Sequence, residues 1–160
     1  MSREIKFRAW DELEKRMWTL DDAGEDSGDG SIQYFSENGS LEFGRLEYYD
    51  TGLGINSHFE KFPLMQYTGL KDKHGKEIYE GDIVERKGIK YQITLEIGSF
   101  LLVKIDENTD MYEEFVDCWN DHVYPLSQLY WNNSDEENHI YDLEIIGNIY
   151  ENPELLEETA

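Results

Sequence analysis

From Ile89 to Ile97 every second residue is apolar: Ile89, Tyr91, Ile93, Leu95 and Ile97 alternate with Lys90, Gln92, Thr94 and Glu96. A helix, turning about 100° per residue, would scatter these side chains around its axis, whereas a strand gathers them on one face. Lys87-Gly88 precedes the run and Gly98-Ser99 follows it, and a second β-rich run, Phe100 to Ile105, starts at once. Glycine reaches the positive φ that tight turns demand. The pattern therefore predicts two adjacent strands joined by a short turn. It also constrains the whole chain, because a one-faced strand needs neighbours and a covering layer to be stable.

The preceding stretch, LMQYTGLKDKHGKEIYEGDIV (64–84), fits the same architecture. Leu64–Tyr67 reads as a short strand and Thr68-Gly69 as a turn. Asp72 to Gly75 has Asp first and Gly last, as a type I turn prefers. Ile78-Tyr79 re-enters a strand, Glu80-Gly81-Asp82 turns again, and Ile83-Val84 begins the next. Residues 64–105 are thus predicted to be a β-meander core. Strands entered through EGDIV look like those of a small SH3-like barrel, a comparison at the level of fold alone.

On either side, the signals vary in strength. In REIKFRAWDELEKRMWTL, Ile5, Phe7 and Ala9 alternate with Lys6, Arg8 and Trp10, and a polar connection leads to Met17 and Trp18. This predicts a hairpin. Residues 21–31, DDAGEDSGDGS, read as a flexible, solvated acidic loop. No register in it supplies the alternating ligands, central Gly and final Glu of a calcium loop, so no metal is expected. Asn38-Gly39 is a two-residue hairpin signal between strands, and residues 51–63 read as a loop carrying His58. Met111, Phe115, Cys118 and Val123 fall near helical spacing until Pro125. Near the end, Leu143–Tyr150 reads as a strand, with Gly147 marking a bulge or close contact. Asn152-Pro153-Glu154 then reads as the start of a short C-terminal helix, residues 153–158, with Leu155 and Leu156 docking. At 160 residues with 14% aromatics, including 11 Tyr and 4 Trp, the expectation is one mainly β domain, residues 1–160, with a few short helices.

Charge is the next constraint. The chain carries 36 acidic and 14 basic residues, a formal net charge of −22. Such a field opposes nucleic acid and anionic membranes and favours a basic partner. The cations are unevenly placed: Lys71, Lys73, Lys76, Arg86, Lys87 and Lys90 lie within 71–90, while residues 105–160 hold sixteen acids and no Lys or Arg. Lys71, Lys73, His74, Lys76, Arg86 and Lys87 are therefore the candidate interaction patch. The competing expectation is that these groups face the chain's own C-terminal acids. The spacing of Gly69, Gly75 and Gly81 matches neither phosphate-binding glycine order.

Catalytic signatures are missing from the sequence. His74, His122 and His139 are far apart, no nucleophile elbow occurs, and neighbouring carboxylates are expected by chance in so acidic a chain. No catalytic residue, cofactor or metal ligand is assigned, and the chain is not expected to be an enzyme. The one cysteine, Cys118, is flanked by acids that favour the unreactive thiol. A chain without disulfides suits the reducing cytoplasm of a bacterial host. No run of apolar residues is long enough for a membrane span or a signal peptide.

Three blocks, IKFRAWD, LMQYTGLKDKHGKEIYEGDIV and EIIGNIYENPELL, together resemble the YopX protein family of bacteriophages and prophages. The resemblance implies a phage or prophage origin and a mostly β fold with a barrel-like core, and it leaves homo-oligomerisation open. It brings no catalytic residues. The expected function is that of a non-enzymatic phage accessory protein that binds a host or phage protein. The alternative is a nucleic-acid-binding module using the 71–90 turns with Tyr67, Tyr79 and Tyr91 as stacking platforms. A metal-dependent hydrolase is the weaker alternative.

Overall fold

The computed structural model describes residues 4–19, 32–37, 40–96, 98–105, 123–134 and 137–156. The 21–31 loop, the Asn38-Gly39 turn, Met111, Phe115, Cys118, His122 and residues 157–158 lie outside them. The fold is mainly β, with one sheet curled into a half-barrel. The described residues gather into two compact units, Lys6–Gln66 and Tyr67–Ala160, with Met1–Ile5 belonging to the latter.

In the first unit, β1 (Phe7–Asp11) and β2 (Arg16–Thr19) form the expected hairpin, with Trp10 opposite Met17. The opening residues of β6 (Leu64–Lys71) pair with the other edge of β1. A second sheet runs β3 (Ile32–Glu37), β4 (Ser40–Asp50), β5 (Ile55–Lys61) in chain order. Ala9, Trp18, Ile32, Phe43 and Phe62 make the core. The alternation expected of β1 fails at its end, because Trp10 and Asp11 are buried as well as Ala9. The Trp10 backbone N–H donates to Pro63 O at 3.1 Å and its indole N–H to Glu12 at 2.7 Å. Asp11 takes both guanidinium nitrogens of buried Arg45 and, at 3.1 Å, the Trp18 indole N–H. Burial pushes the Asp11 carboxyl up, but these donors outweigh it and hold the group below its usual range. The paired carboxylate conversely raises the Arg45 pKa further.

In the second unit, β7 (Glu77–Tyr79) pairs with the later residues of β6. A five-stranded antiparallel sheet has the order β11-β10-β9-β8-β12: Val123–Pro125, Ser99–Lys104, Ile89–Glu96, Asp82–Arg86 and Glu144–Asn148. The strands read at 78–79, 83–84, 89–97 and 100–105 have counterparts in β7 to β10, but Thr68-Gly69 is not a turn: β6 runs through it to Lys71, and the positive φ of Gly69, +87°, falls within a register shift of the β6–β7 pair. Tyr91 and Ile93 are buried at the centre of β9, while Ile89 and Leu95 towards its ends are about two-fifths exposed. Among the described residues one short α-helix, α1 (Leu126–Asn133), starts directly after Pro125 and adds Leu126 and Leu129 to a core of Ile78, Val84, Tyr91, Ile93, Leu102, Ile140 and Leu143. The register slips between Ile145 and Gly147, the bulge read from the glycine. A Cβ on Gly147 would stand 2.5 Å from Asn152 Oδ1 and 2.9 Å from Leu155 Cδ1. The terminal segment is a four-residue 3-10 turn, Pro153–Leu156, in which Leu155 is half-buried and Leu156 exposed. Asn152 does not cap it through its side chain. That carboxamide oxygen instead accepts the Asn148 N–H at 3.2 Å, holding the turn back against β12.

Candidate functional site

The basic stretch at 71–90 is largely engaged within its own unit. Asp72 is 1% exposed and organises it. Its Oδ1 accepts the N–H groups of His74 and Lys76, each at 2.9 Å, and its Oδ2 accepts that of Ile145 on β12 at 3.0 Å. Gly75 N–H closes the turn onto Asp72 O at 3.0 Å, with φ +83° at Gly75, a value an L side chain resists. The turn is tied to the closing segment again where Lys73 N–H meets Leu143 O at 2.9 Å and Lys71 bridges Asn138 and Ile140. One carboxylate thus ties its own turn to a residue seventy-three positions further along the chain.

The side chains follow the same direction. Lys73 Nζ and His74 Nε2 each stand 3.3 Å from Glu144, one on each carboxylate oxygen, and Arg86 Nε donates to Asp142 at 2.7 Å. The bond from Lys73, and next that from His74, lower the Glu144 pKa. Lys71, Lys76 and Lys87 make no ion pair to another described residue. Of the six candidate positions, three therefore lie on acids of the C-terminal segment and three project separately. Tyr67, Tyr79 and Tyr91, the proposed stacking platforms, are 5%, 9% and 3% exposed. The rings of Tyr67 and Tyr79 pack on each other at 5.4 Å, and Tyr91 meets Tyr124 edge-on at 5.9 Å. Buried rings of this kind cannot take a base.

A different surface stands out. Residues 51–63, read from the sequence as a loop, contain the strand β5, which pairs with β4 over seven residues from Gly44↔Lys61 to Asp50↔Ile55. The pattern was hidden because the distal part of this hairpin is exposed on both faces, so no alternation is imposed. Its root is fixed. Arg45 holds Asp11 and lies 3.8 Å from Glu60, and Phe62 N–H donates to Phe43 O at 2.8 Å. A Cβ on Gly44 would sit 2.0 Å from Glu60 O and 3.0 Å from the Phe59 ring, so glycine permits the strands to close there. The tip is ordered by its own polar groups: Gly52 N–H to Asp50 Oδ1 at 2.8 Å and Thr51 N–H to Gly54 O at 3.0 Å.

This arm presents Tyr48, Tyr49, Leu53 and Ile55, which are 70%, 50%, 100% and 76% exposed. Cross-strand register sorts its residues: Leu46, Tyr48, Asp50, Ile55, Ser57 and Phe59 share one face, and Arg45, Glu47, Tyr49, Asn56, His58 and Glu60 the other. Its only charged groups from 46 to 60 are Glu47, Asp50 and Glu60, with His58 exposed beside them. The sequence signal that would have found it is the pair of glycines, Gly52 and Gly54, between Tyr48-Tyr49 and Ile55.

Among the described residues no group of three or more His, Cys, Asp or Glu could hold a metal, and no helix is long and apolar enough to cross a membrane. The crystal structure of protein EF1440 from Enterococcus faecalis is similar to this chain, with 25% identity and a TM-score of 0.50 over 98% of this chain and 100% of that one. No curated protein matches. The family model described as YopX protein matches residues 6–157, which takes in the three sequence blocks except Ile5 and spans most of both compact units. The chain belongs to the YopX family.

Proposed function

We propose that this protein is a non-enzymatic phage or prophage accessory protein, working in the cytoplasm of a bacterial host by binding a basic host or phage protein. The observation that carries the reading is the β4–β5 arm. Four large apolar side chains are held out at its distal end, Glu47, Asp50 and Glu60 are the only charged groups from 46 to 60, and the whole chain bears −22. An exposed cluster of this kind is costly in water unless something covers it. A strongly negative surface selects a positive partner and speeds its approach. The burial of Tyr67, Tyr79 and Tyr91 takes away the aromatics on which single-stranded nucleic acid would stack.

The test is capture from a bacterial host lysate with the full chain immobilised, run across a salt series. A basic protein retained at low salt and released as salt rises is the expected result. Recovery of nothing at low salt overturns the reading, as does a gel shift of single-stranded DNA or RNA at low salt by the same preparation.

A further inference from the structure

We infer that the edge of β5 that pairs with no described strand is a strand-addition site for an extended segment of a basic protein in which apolar and cationic residues alternate. This rests on the protein-binding reading above and names its mode.

Among the described residues β5 is the last strand of its sheet, paired on one side with β4. The other side of a strand carries a row of main-chain donors and acceptors facing outward. Natural edges are normally protected by proline, by bulges, by inward-pointing lysine or by short length. Here Ile55–Lys61 is seven residues of INSHFEK without proline or glycine, in unbroken register with β4. Its lysine, Lys61, is at the rooted end and is held at 2.9 Å by Glu42. The strand's distal residues, Ile55 to His58, are all exposed. Among the described residues the edge is thus long and regular, with none of these guards along Ile55 to His58.

The chemistry of the occupant follows from the two faces. A strand laid beside β5 sends alternate side chains to each face. One row would lie next to Ile55, Ser57 and Phe59, and apolar residues suit it, extending the patch that includes Leu46 and Tyr48, with Asp50 at the distal end across from Ile55. The other would lie next to Asn56, His58 and Glu60, with Glu47 across the ladder from His58. At the root Arg45 stands across from Glu60, 3.8 Å from it; beyond it no Lys or Arg occurs from 46 to 60, so cations are the complementary choice beside Asn56 and His58, where Glu47 faces them. Main-chain hydrogen bonds would supply affinity and the alternating rows specificity.

The experiment uses the full chain, labelled with nitrogen-15, and three capped seven-residue peptides: alternating Val and Lys, alternating Val and Glu, and the Val/Lys peptide methylated on alternate backbone nitrogens. The Val/Lys peptide should shift the amide signals of residues 55–61 and slow their exchange with solvent. The Val/Glu peptide should not bind. The methylated peptide keeps every charge but cannot complete a ladder, so it should lose binding. In the chain, His58→Lys sets a like charge against the cationic row and should weaken binding roughly fivefold, with the far-ultraviolet spectrum unchanged. Equal binding of the methylated peptide would show simple charge attraction and overturn the proposal. So would shifts confined to the acidic segment after residue 137, or edge amides already protected by a second copy of the chain. If these peptides fail while the lysate still yields a salt-sensitive basic partner, the edge assignment falls and the protein-binding reading stands. If the lysate yields nothing, that reading falls by its own test.

Discussion

Removing the Asp72 side chain should loosen the second unit more than any other single polar truncation among its turns. The carboxylate is buried and accepts three main-chain N–H groups at 2.9–3.0 Å. A hydrogen bond to a charged group contributes about 1.5–3 kcal/mol, and a buried donor left without a partner costs on the same scale. Ile145 is half-buried on β12, so its N–H counts in full. His74 and Lys76 stand on an exposed turn where water replaces the carboxylate, leaving roughly 0.5–1 kcal/mol each. Asp72→Ala should therefore cost about 2.5–5 kcal/mol. Asp72→Asn keeps the shape but has one acceptor oxygen, which can serve the turn or Ile145 but not both, so an intermediate loss is expected. With a slope of about 1.5 kcal/mol per molar urea, the alanine variant's midpoint falls by roughly 2–3 M. The assay is urea unfolding followed by amide exchange on residues 143–148, which reports this unit alone. If both variants unfold within about 0.5 kcal/mol of the parent, the latch has no energetic weight and the account of the central block is wrong.

Gly44→Ala should destabilise the first unit by about 2–3 kcal/mol, because its Cβ meets a main-chain oxygen, Glu60 O, that cannot swing aside; thermal unfolding measures it. Gly147→Ala should free the 3-10 turn from β12, read as faster proteolysis after residue 150, since Asn152 and Leu155 occupy the space a methyl needs. The depressed Asp11 pKa gives the first unit an acid limb. Unfolded Asp11 binds its proton at a higher pH than folded Asp11, so this stabilisation is complete above about pH 4 and drains away as pH falls through the folded pKa. Arg45→Met should flatten that limb and lower stability at neutral pH, seen in unfolding midpoints across pH 2–7. Carbon-detected titration of Glu144 should find it below an ordinary glutamate, and Lys73→Ala should bring it back towards the usual range.

Much of the order from 72 to 105 was legible because glycine marks the turns and a half-buried strand writes its burial into every second residue, as β9 does at Tyr91 and Ile93; Gly69 misled, because its positive φ serves an irregularity within β6 and not a turn. Legibility ended where that coupling ends. At β1, both faces of Trp10 and Asp11 are covered, so alternation misplaced them. At β5, both faces are open, so no apolar period exists and a strand read as a loop. The two-unit organisation left no linker to find, since the division falls inside β6. The charge asymmetry was visible as composition. Its meaning needed coordinates: Lys73, His74 and Arg86 meet Glu144 and Asp142 through register, not sequence proximity. Asp72 looked like an ordinary turn residue, because a type I turn and a buried three-donor latch ask for the same side chain.

Under the proposed function a partner binds on the β4–β5 arm, and the 71–90 turns serve the fold. The direct measurement is capture of the basic partner by two variants side by side, each first shown to unfold like the parent. One carries Tyr48→Ser, Leu53→Ser and Ile55→Ser, the other Lys71→Ser, Lys76→Ser and Lys87→Ser. Loss of capture by the arm variant with full retention by the lysine variant is the predicted result. Retention by the arm variant and loss by the lysine variant would contradict it and return the binding surface to the basic turns.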